Sequence, residues 1–288
     1  MDSQEYRLTI IALGAIAIVL FFGLIALAAM IPGEPGPGAV SEQYEMQKAL
    51  FKAEGSVGQD LAAMDSAVTG GAARIGTLGF NGTETKAELV KMGDFPWAVD
   101  TITINDRGII NNVEPESYKS VIGENLSDQT HLQRLYSQKV PVMSDVFLSV
   151  EGVPAVDVAS PVFSPDGKFI GATTLLFNPE QLFVKNTPQK PDGTPWHIMV
   201  MQKDGLIVYE PDREQIGKNA FSDPLFKPFP NLIAFAGVMS RERVGNGSYT
   251  FTDVKGMNVT KEAMWTTVGI RGAEWRLVII RIVEPVNP

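Results

Sequence analysis

Residues 8–30 form one almost unbroken apolar run, from Leu8-Thr9-Ile10 to Ala28-Ala29-Met30. At about 1.5 Å of rise per residue it spans roughly 34 Å, enough to cross a hydrocarbon core about 30 Å thick. No second run of that length follows. The pattern predicts one membrane anchor followed by one large body on one side of the membrane. A cleaved signal peptide is the competing reading, with an apolar core of about 7 to 15 residues ending at a small-x-small site. Ala26-Leu27-Ala28 has that form but lies inside the run, and Ile31 to Gly38 is a Pro/Gly spacer. The longer run favours an uncleaved anchor. Arg7 is the only positive side chain ahead of it, and the large body is placed outside the cytoplasm.

Beyond the spacer, Leu50, Val57, Leu61, Met64, Val68, Ala72 and Ile75 recur at steps of three, four and seven, which marks one face of a helix. Ser41 is its expected N-cap. Gly55, Gly58, Gly70 and Gly71 are expected to weaken, kink or end it. That face either packs on its own domain or also dimerises.

The remainder repeats. Trp97 to Ile104, a turn at Asn105-Asp106-Arg107-Gly108, Glu114-Pro115, a short helix and Ile122-Gly123-Glu124-Asn125-Leu126-Ser127-Asp128 form the first copy. Trp196 to Met201, Lys203-Asp204-Gly205, Glu210-Pro211 and Ile216-Gly217-Lys218-Asn219-Ala220-Phe221-Ser222-Asp223 repeat those landmarks in order, roughly 95 residues later. Two copies are too few for a solenoid, so a tandem pair of small domains is expected. Asp close to Gly between apolar runs signals a hairpin. Further strands are predicted at Met143 to Val150, Ala155 to Phe163 and Phe169 to Phe177, then at Gly247 to Thr252, Met264 to Ile270 and Trp275 to Val283. Each copy is about five antiparallel strands with helices on one side, an α+β pattern.

Composition narrows the function. A net charge of −9 argues against nucleic acid and against an anionic lipid surface. The chain has no cysteine, hence no disulfide framework and no thiol nucleophile. Four glycosylation sequons begin at Asn81, Asn125, Asn246 and Asn258. With only His131 and His197 available, nucleophile–base pairs are scarce, and no metal-spacing motif or phosphate loop occurs. No enzyme activity, cofactor or metal is expected. Asp106, Asp166 and Asp204 sit at turns, where Asp bonds its own backbone.

The repeated landmarks, together with Pro161-Val162-Phe163-Ser164-Pro165-Asp166-Gly167-Lys168-Phe169-Ile170-Gly171, resemble the double Cache family of extracytoplasmic sensor domains over about residues 41 to 283. The resemblance implies a long helix leading to two PAS-like modules, the first membrane-distal and the second membrane-proximal, with a small ligand in the distal one. The expected division is a cytoplasmic segment at 1–7, an anchor at 8–31 and a linker at 32–40. A long helix at 41–80 and modules at 81–187 and 188–288 follow. Typical members continue into a kinase, methyl-accepting or cyclase domain. This sequence stops at Glu284-Pro285-Val286-Asn287-Pro288, so a separate transducer partner is expected, with homodimerisation as a further option.

The resemblance places ligand contacts between Tyr118 and Ser160. His131, Arg134 and Tyr136 fall on a predicted helix, Thr130 to Ser137, where His131 and Arg134 share a face. Arg134 suits a carboxylate clamp with two parallel hydrogen bonds, or else it belongs to a solvated helix face. Ser144, Asp145 and Phe147 open the next strand, with Asp145 suited to an ammonium group. Asp157 is a charge in an alternating strand, a pocket residue if it faces inward. The family's amino-acid binders carry an Arg-x-Trp-Tyr helix and an acid shortly after the closing glycine. Arg134-Leu135-Tyr136 matches in part, and Ala172 to Leu176 contains no acid. A small organic acid or neutral solute is therefore expected rather than an amino acid. The alternative is a surface scaffold or interaction module whose pocket is filled by its own side chains.

Overall fold

The computed structural model describes residues 37–187, 196–252 and 257–283. The apolar run at 8–30 lies outside them. Among the described residues no helix is long and apolar enough to cross a membrane.

One helix, Pro37–Leu78, runs without a break. It begins ahead of Ser41, so Ser41 is no cap, and the last residues of the expected linker are helical. Met46, Leu50, Ala53, Val57, Leu61, Met64, Val68, Ala72 and Ile75 are all at most 4% exposed. The expected glycine kinks do not occur. Gly55, Gly58, Gly70 and Gly71 cost about 1 kcal/mol each against Ala. Fully burying one Val, Leu, Ile or Met returns about 1.5–3 kcal/mol, so the packed face outweighs them. Two glycines serve close approach instead. A Cβ at Gly71 would meet Met92 Sδ at 2.2 Å, and one at Gly76 would meet the Phe163 carbonyl oxygen at 2.1 Å.

A short helix, Thr83–Met92, precedes the first sheet. Its strands are β1 (Ala98–Asn105), β2 (Ile110–Glu114), β3 (Val142–Met143), β4 (Phe147–Leu148), β5 (Pro154–Phe163) and β6 (Phe169–Phe177). They lie in the order β2-β1-β6-β5-β3, with β4 beside β5, and every pair is antiparallel. The strand predicted over Met143 to Val150 is thus two short pieces. The second sheet has β7 (Trp196–Gln202), β8 (Ile207–Tyr209), β9 (Gly245–Thr252), β10 (Asn258–Val268) and β11 (Trp275–Val283) in the order β8-β7-β11-β10-β9.

The repeat holds bond for bond. Gly108 N–H donates to the Asn105 carbonyl at 3.0 Å, and Gly205 N–H to that of Gln202 at 2.9 Å. Both glycines have φ near +90°, the conformation these hairpin turns require. Asn125 Oδ1 accepts from Ser127 N–H, and Asn219 Oδ1 accepts from Phe221 N–H. The same two asparagines bridge to Ile109 and Leu206.

Each sheet is covered on both faces, not on one as the pattern suggested. One apolar cluster joins the long helix to one face of both sheets, through Val156, Val158, Leu175, Ile198, Val200 and Leu277 among others. On the opposite face of the first sheet, Ile102, Ile104 and Ala172 pack under Leu132 and Leu135 of the Thr130–Gln138 helix. On that of the second, Met199, Met201 and Val278 pack under Ala236 and Met239 of the Pro230–Arg241 helix. The periodicity had not revealed Thr83–Met92, Pro179–Asn186 or Pro230–Arg241 as helices.

Candidate functional site

The helix-covered face of the first sheet changes character at one end. Register sets Asp100 of β1 and Asp157 of β5 opposite Leu176 of β6 from its two sides. Directly opposed residues share a face, so two carboxyls flank one leucine where the neighbouring rows hold Ile102, Thr174 and Ala159. Both are buried, at 2% and 4% exposure.

His131 of the Thr130–Gln138 helix reaches down to this row, with Nε2 3.0 Å from Asp157 Oδ2. The Phe147 ring packs on the imidazole, with centroids 5.3 Å apart. Ser144 fixes β5 at this point. Its Oγ accepts from Asp157 N–H, and its own N–H donates to the Asp157 carbonyl, both at 2.9 Å. The turn between β4 and β5 then carries Glu151 into hydrogen-bonding contact with Asp100. Burial, reinforced by Glu151 and by the charge of Asp157, pushes the Asp100 carboxyl up to about 9. Two carboxyls in contact share a proton more readily than they both ionise.

The cluster is incomplete as it stands. Asp100 Oδ2 and Asp157 Oδ1 are buried with no hydrogen-bond partner among the described residues. Orphaned buried polar atoms cost free energy and mark places where a partner belongs. What these buried oxygens lack is a hydrogen-bond partner.

Of the residues selected from sequence, His131, Ser144, Phe147 and Asp157 come together here. Arg134 does not. Its Nη2 donates to the carbonyls of Met143 at 3.2 Å and Arg271 at 2.8 Å, so the guanidinium is held between the two sheets. Asp145 is exposed beside Arg134 and Asp204. Tyr136 donates from its hydroxyl to the Asn105 carbonyl at 2.7 Å and meets Phe169 edge-on. Tyr118 packs in the cluster formed by Ile102 and Leu132. Asp100 and Glu151 were missed. Asp100 carries the same signal as Asp157, an acid inside an alternating apolar strand. No acid follows Gly171 in β6 itself, yet the strands on either side of it present Asp100 and Asp157 to the same face.

Two grooves, of about 350 and 340 Å³, lie elsewhere. The first, beside Phe51, Gly55 and Gly58, contains Glu54, whose carboxyl is pushed up from its ordinary value by burial. The second lies between Phe229 and Phe251, where Asn231 is bonded to the Thr250 carbonyl. Neither gathers orphaned charged groups.

Comparison with known proteins agrees with this architecture. Residues 59–179 match the profile of the HK/GC/chemotaxis protein-like sensor domain. An extracellular ligand-binding receptor from Desulfohalobium retbaense superposes with a TM-score of 0.70 at 30% identity, over 83% of this chain and 40% of that one. The chain thus spans less than half of that receptor's length. The ligand-binding domain of the Pseudomonas aeruginosa amino acid chemoreceptor PctB, in complex with L-Gln, matches with a TM-score of 0.58 at 15% identity, over 82% and 89% of the two chains. That of PctC, in complex with GABA, matches with 0.58 at 16%, over 84% and 99%. No curated protein matches the chain at a significant level.

Proposed function

Starting from a chain that carries the double Cache sensor fold, we propose that its first module is a receptor for a small solute bearing an ammonium group. The observation that carries this reading is the buried, unbalanced acid row. Asp100 and Asp157 flank Leu176, each with an orphaned oxygen, and Glu151 adds a third acid beside Asp100. An ammonium supplies several donors and one positive charge, the two things missing there. Phe147 offers an aromatic face beside the cation's position, a favourable contact for ammonium groups.

This reading revises the carboxylate expected from the sequence. Arg134, the intended clamp, is bonded to two backbone carbonyls, and the site's other named groups are acids, a serine and His131. An amine without a carboxylate fits this balance better than an α-amino acid. The fold relatives were solved with L-Gln and GABA, both of which contain an ammonium group.

The receptor is placed outside the cytoplasm on the single anchor at 8–30, with occupancy passed to a separate partner and no catalysis of its own. The resembling domains are extracellular or ligand-binding domains of receptors, which supports that placement. A second reading, a scaffold without a diffusible ligand, draws on one observation. Glu151 already touches Asp100, so the site is partly filled by the chain itself.

A thermal-shift screen of the full chain against amines, amino acids and carboxylates separates the two. A ligand at 100 times its Kd stabilises by about 2.7 kcal/mol, or several degrees here. A shift from amines that disappears in Asp157→Asn supports the receptor. A shift from carboxylates alone returns the site to a basic group. No shift from any class leaves the scaffold.

A further inference from the structure

We propose that Arg134 is a positioning residue that ties the acidic site to the long helix through Arg271 and Asp65. The inference rests on the acid row being the functional site, and it concerns what that site moves.

The Thr130–Gln138 helix has one residue in the site and another at the joint. His131 reaches Asp157, and one turn on Arg134 bonds the Met143 carbonyl of its own module and reaches across to the second. Its Nη2 bonds the Arg271 carbonyl in the turn between β10 and β11, a contact 137 residues apart in sequence. That turn is shaped to receive it. Arg271 has φ +51° and Gly272 has φ +98°, and a Cβ at Gly272 would stand 2.9 Å from Arg134 Nη1. Arg271 in turn grips the long helix, with Nε and Nη2 donating to the two oxygens of Asp65 at 2.8 and 2.7 Å. A bidentate pair fixes direction as well as distance.

A second strap runs parallel. Val146 N–H, next to Phe147, donates to Gln202 Oε1 of the second sheet at 2.8 Å, and Gln202 Nε2 bonds Asp204. Both walls of the acid site, the His131 helix and the segment before β4, are therefore pinned to the second module. Asp145 feels the charges of both Arg134 and Asp204, so it too lies at the joint. Any change in the site that shifts the His131 helix must move Arg134, break its bond to the turn, or drag Arg271 and Asp65 with it. Coupling needs such a shared element, biased from both ends.

The test uses no ligand, so it is independent of the amine reading. Amide hydrogen exchange over residues 60–72 is measured in the full chain, with and without Asp157→Asn, in the Arg134 and Arg134→Gln backgrounds. With Arg134 present, Asp157→Asn should change exchange in this segment by about fivefold. With Arg134→Gln the same substitution should change it by less than about twofold. An equal change in both backgrounds overturns the proposal, because the sheet would then carry the signal through Val156 and Val158. No change in either also overturns it. Arg134→Lys, which keeps the charge and loses the planar fork, should reproduce the uncoupled behaviour if Arg134→Gln folds poorly.

Discussion

The two modules share a topology down to individual turn bonds, yet the same place in each is chemically opposite. In the first, the row at the end of the covered face reads Asp100–Leu176–Asp157 across three strands. In the second, the corresponding strands place His197–Ile280–Ala263 in a row. His197 Nε2 there lies 3.2 Å from Glu210 Oε1. Lys261, two residues before Ala263, sits 5.5 Å above the Phe251 ring and feels both Glu210 and Asp212. The second module holds groups of both signs that satisfy one another. The first holds three acids and leaves two of their oxygens without partners. Turn chemistry builds the fold and is kept between copies, whereas the face residues are free to diverge. The proposed site lies where that divergence leaves buried acid oxygens without partners.

The sharpest break of this comparison is a matched pair of substitutions. Asp157→Asn in the first module should weaken binding of an amine ligand about 100-fold, because losing one partner of a buried hydrogen-bonded charge pair costs about 2–5 kcal/mol. Glu210→Gln in the second should leave that affinity within about twofold, since a charge in the other module shares no contact with the ligand. Isothermal titration with the amine found in the thermal-shift screen measures both. Equal losses would place the ligand between the modules or in the second one.

A smaller effect appears in the ligand-free chain. The Asp100 carboxyl titrates near 3.8 when exposed and is pushed up to about 9 in the fold, first by burial and then by Glu151 and Asp157. The folded chain therefore holds this proton more tightly than the unfolded one. The resulting stability is whole below about pH 4 and is lost as pH rises toward 9. Each pH unit in that window removes at most about 1.4 kcal/mol. Between pH 6 and pH 8 the Tm of the wild-type chain should fall by about 5 °C more than that of Asp100→Asn. Glu210→Gln should retain the wild-type slope. Identical slopes in wild type and Asp100→Asn would mean that Asp100 is ionised in the fold.

Much of this architecture can be read from the chain. The buried helix face follows from steps of three and four, because one stripe of a helix must be covered. The hairpins follow from glycines whose backbone demands positive φ. Asp157 stands out as a charge in an alternating strand, and Asp100 carries that same mark as the third residue of β1. What spacing cannot show is where long side chains end. His131 and Arg134 share a helical face, but the arginine's reach takes its guanidinium to a carbonyl 137 residues away. Glu151 looks like an ordinary turn residue until the turn folds over Asp100. The helices Thr83–Met92 and Pro179–Asn186 also escape notice, because about two to three turns of helix with a narrow apolar stripe give a weak period.

The finest test of the contrast between modules counts protons. At pH 7 a carboxyl with a pKa of about 9 is protonated, so the empty site holds one proton where the ligand's charge is to sit. An ammonium group cannot gain full attraction from a neutral acid, and its arrival must displace that proton. Binding at pH 7 should therefore release about one proton. The release is read from the difference in apparent binding enthalpy between buffers of high and low ionisation enthalpy. Asp100→Asn should abolish it. Glu151→Gln should reduce it, because removing the neighbouring carboxylate lowers the pKa of Asp100 and leaves less proton to displace. Glu210→Gln should not change it, since its module has its own balance of charge. A binding event with no proton release in the wild type would show that the ammonium meets Asp157 alone. The acid pair of Asp100 and Glu151 would then be a closed hydrogen bond of the fold rather than a part of the site.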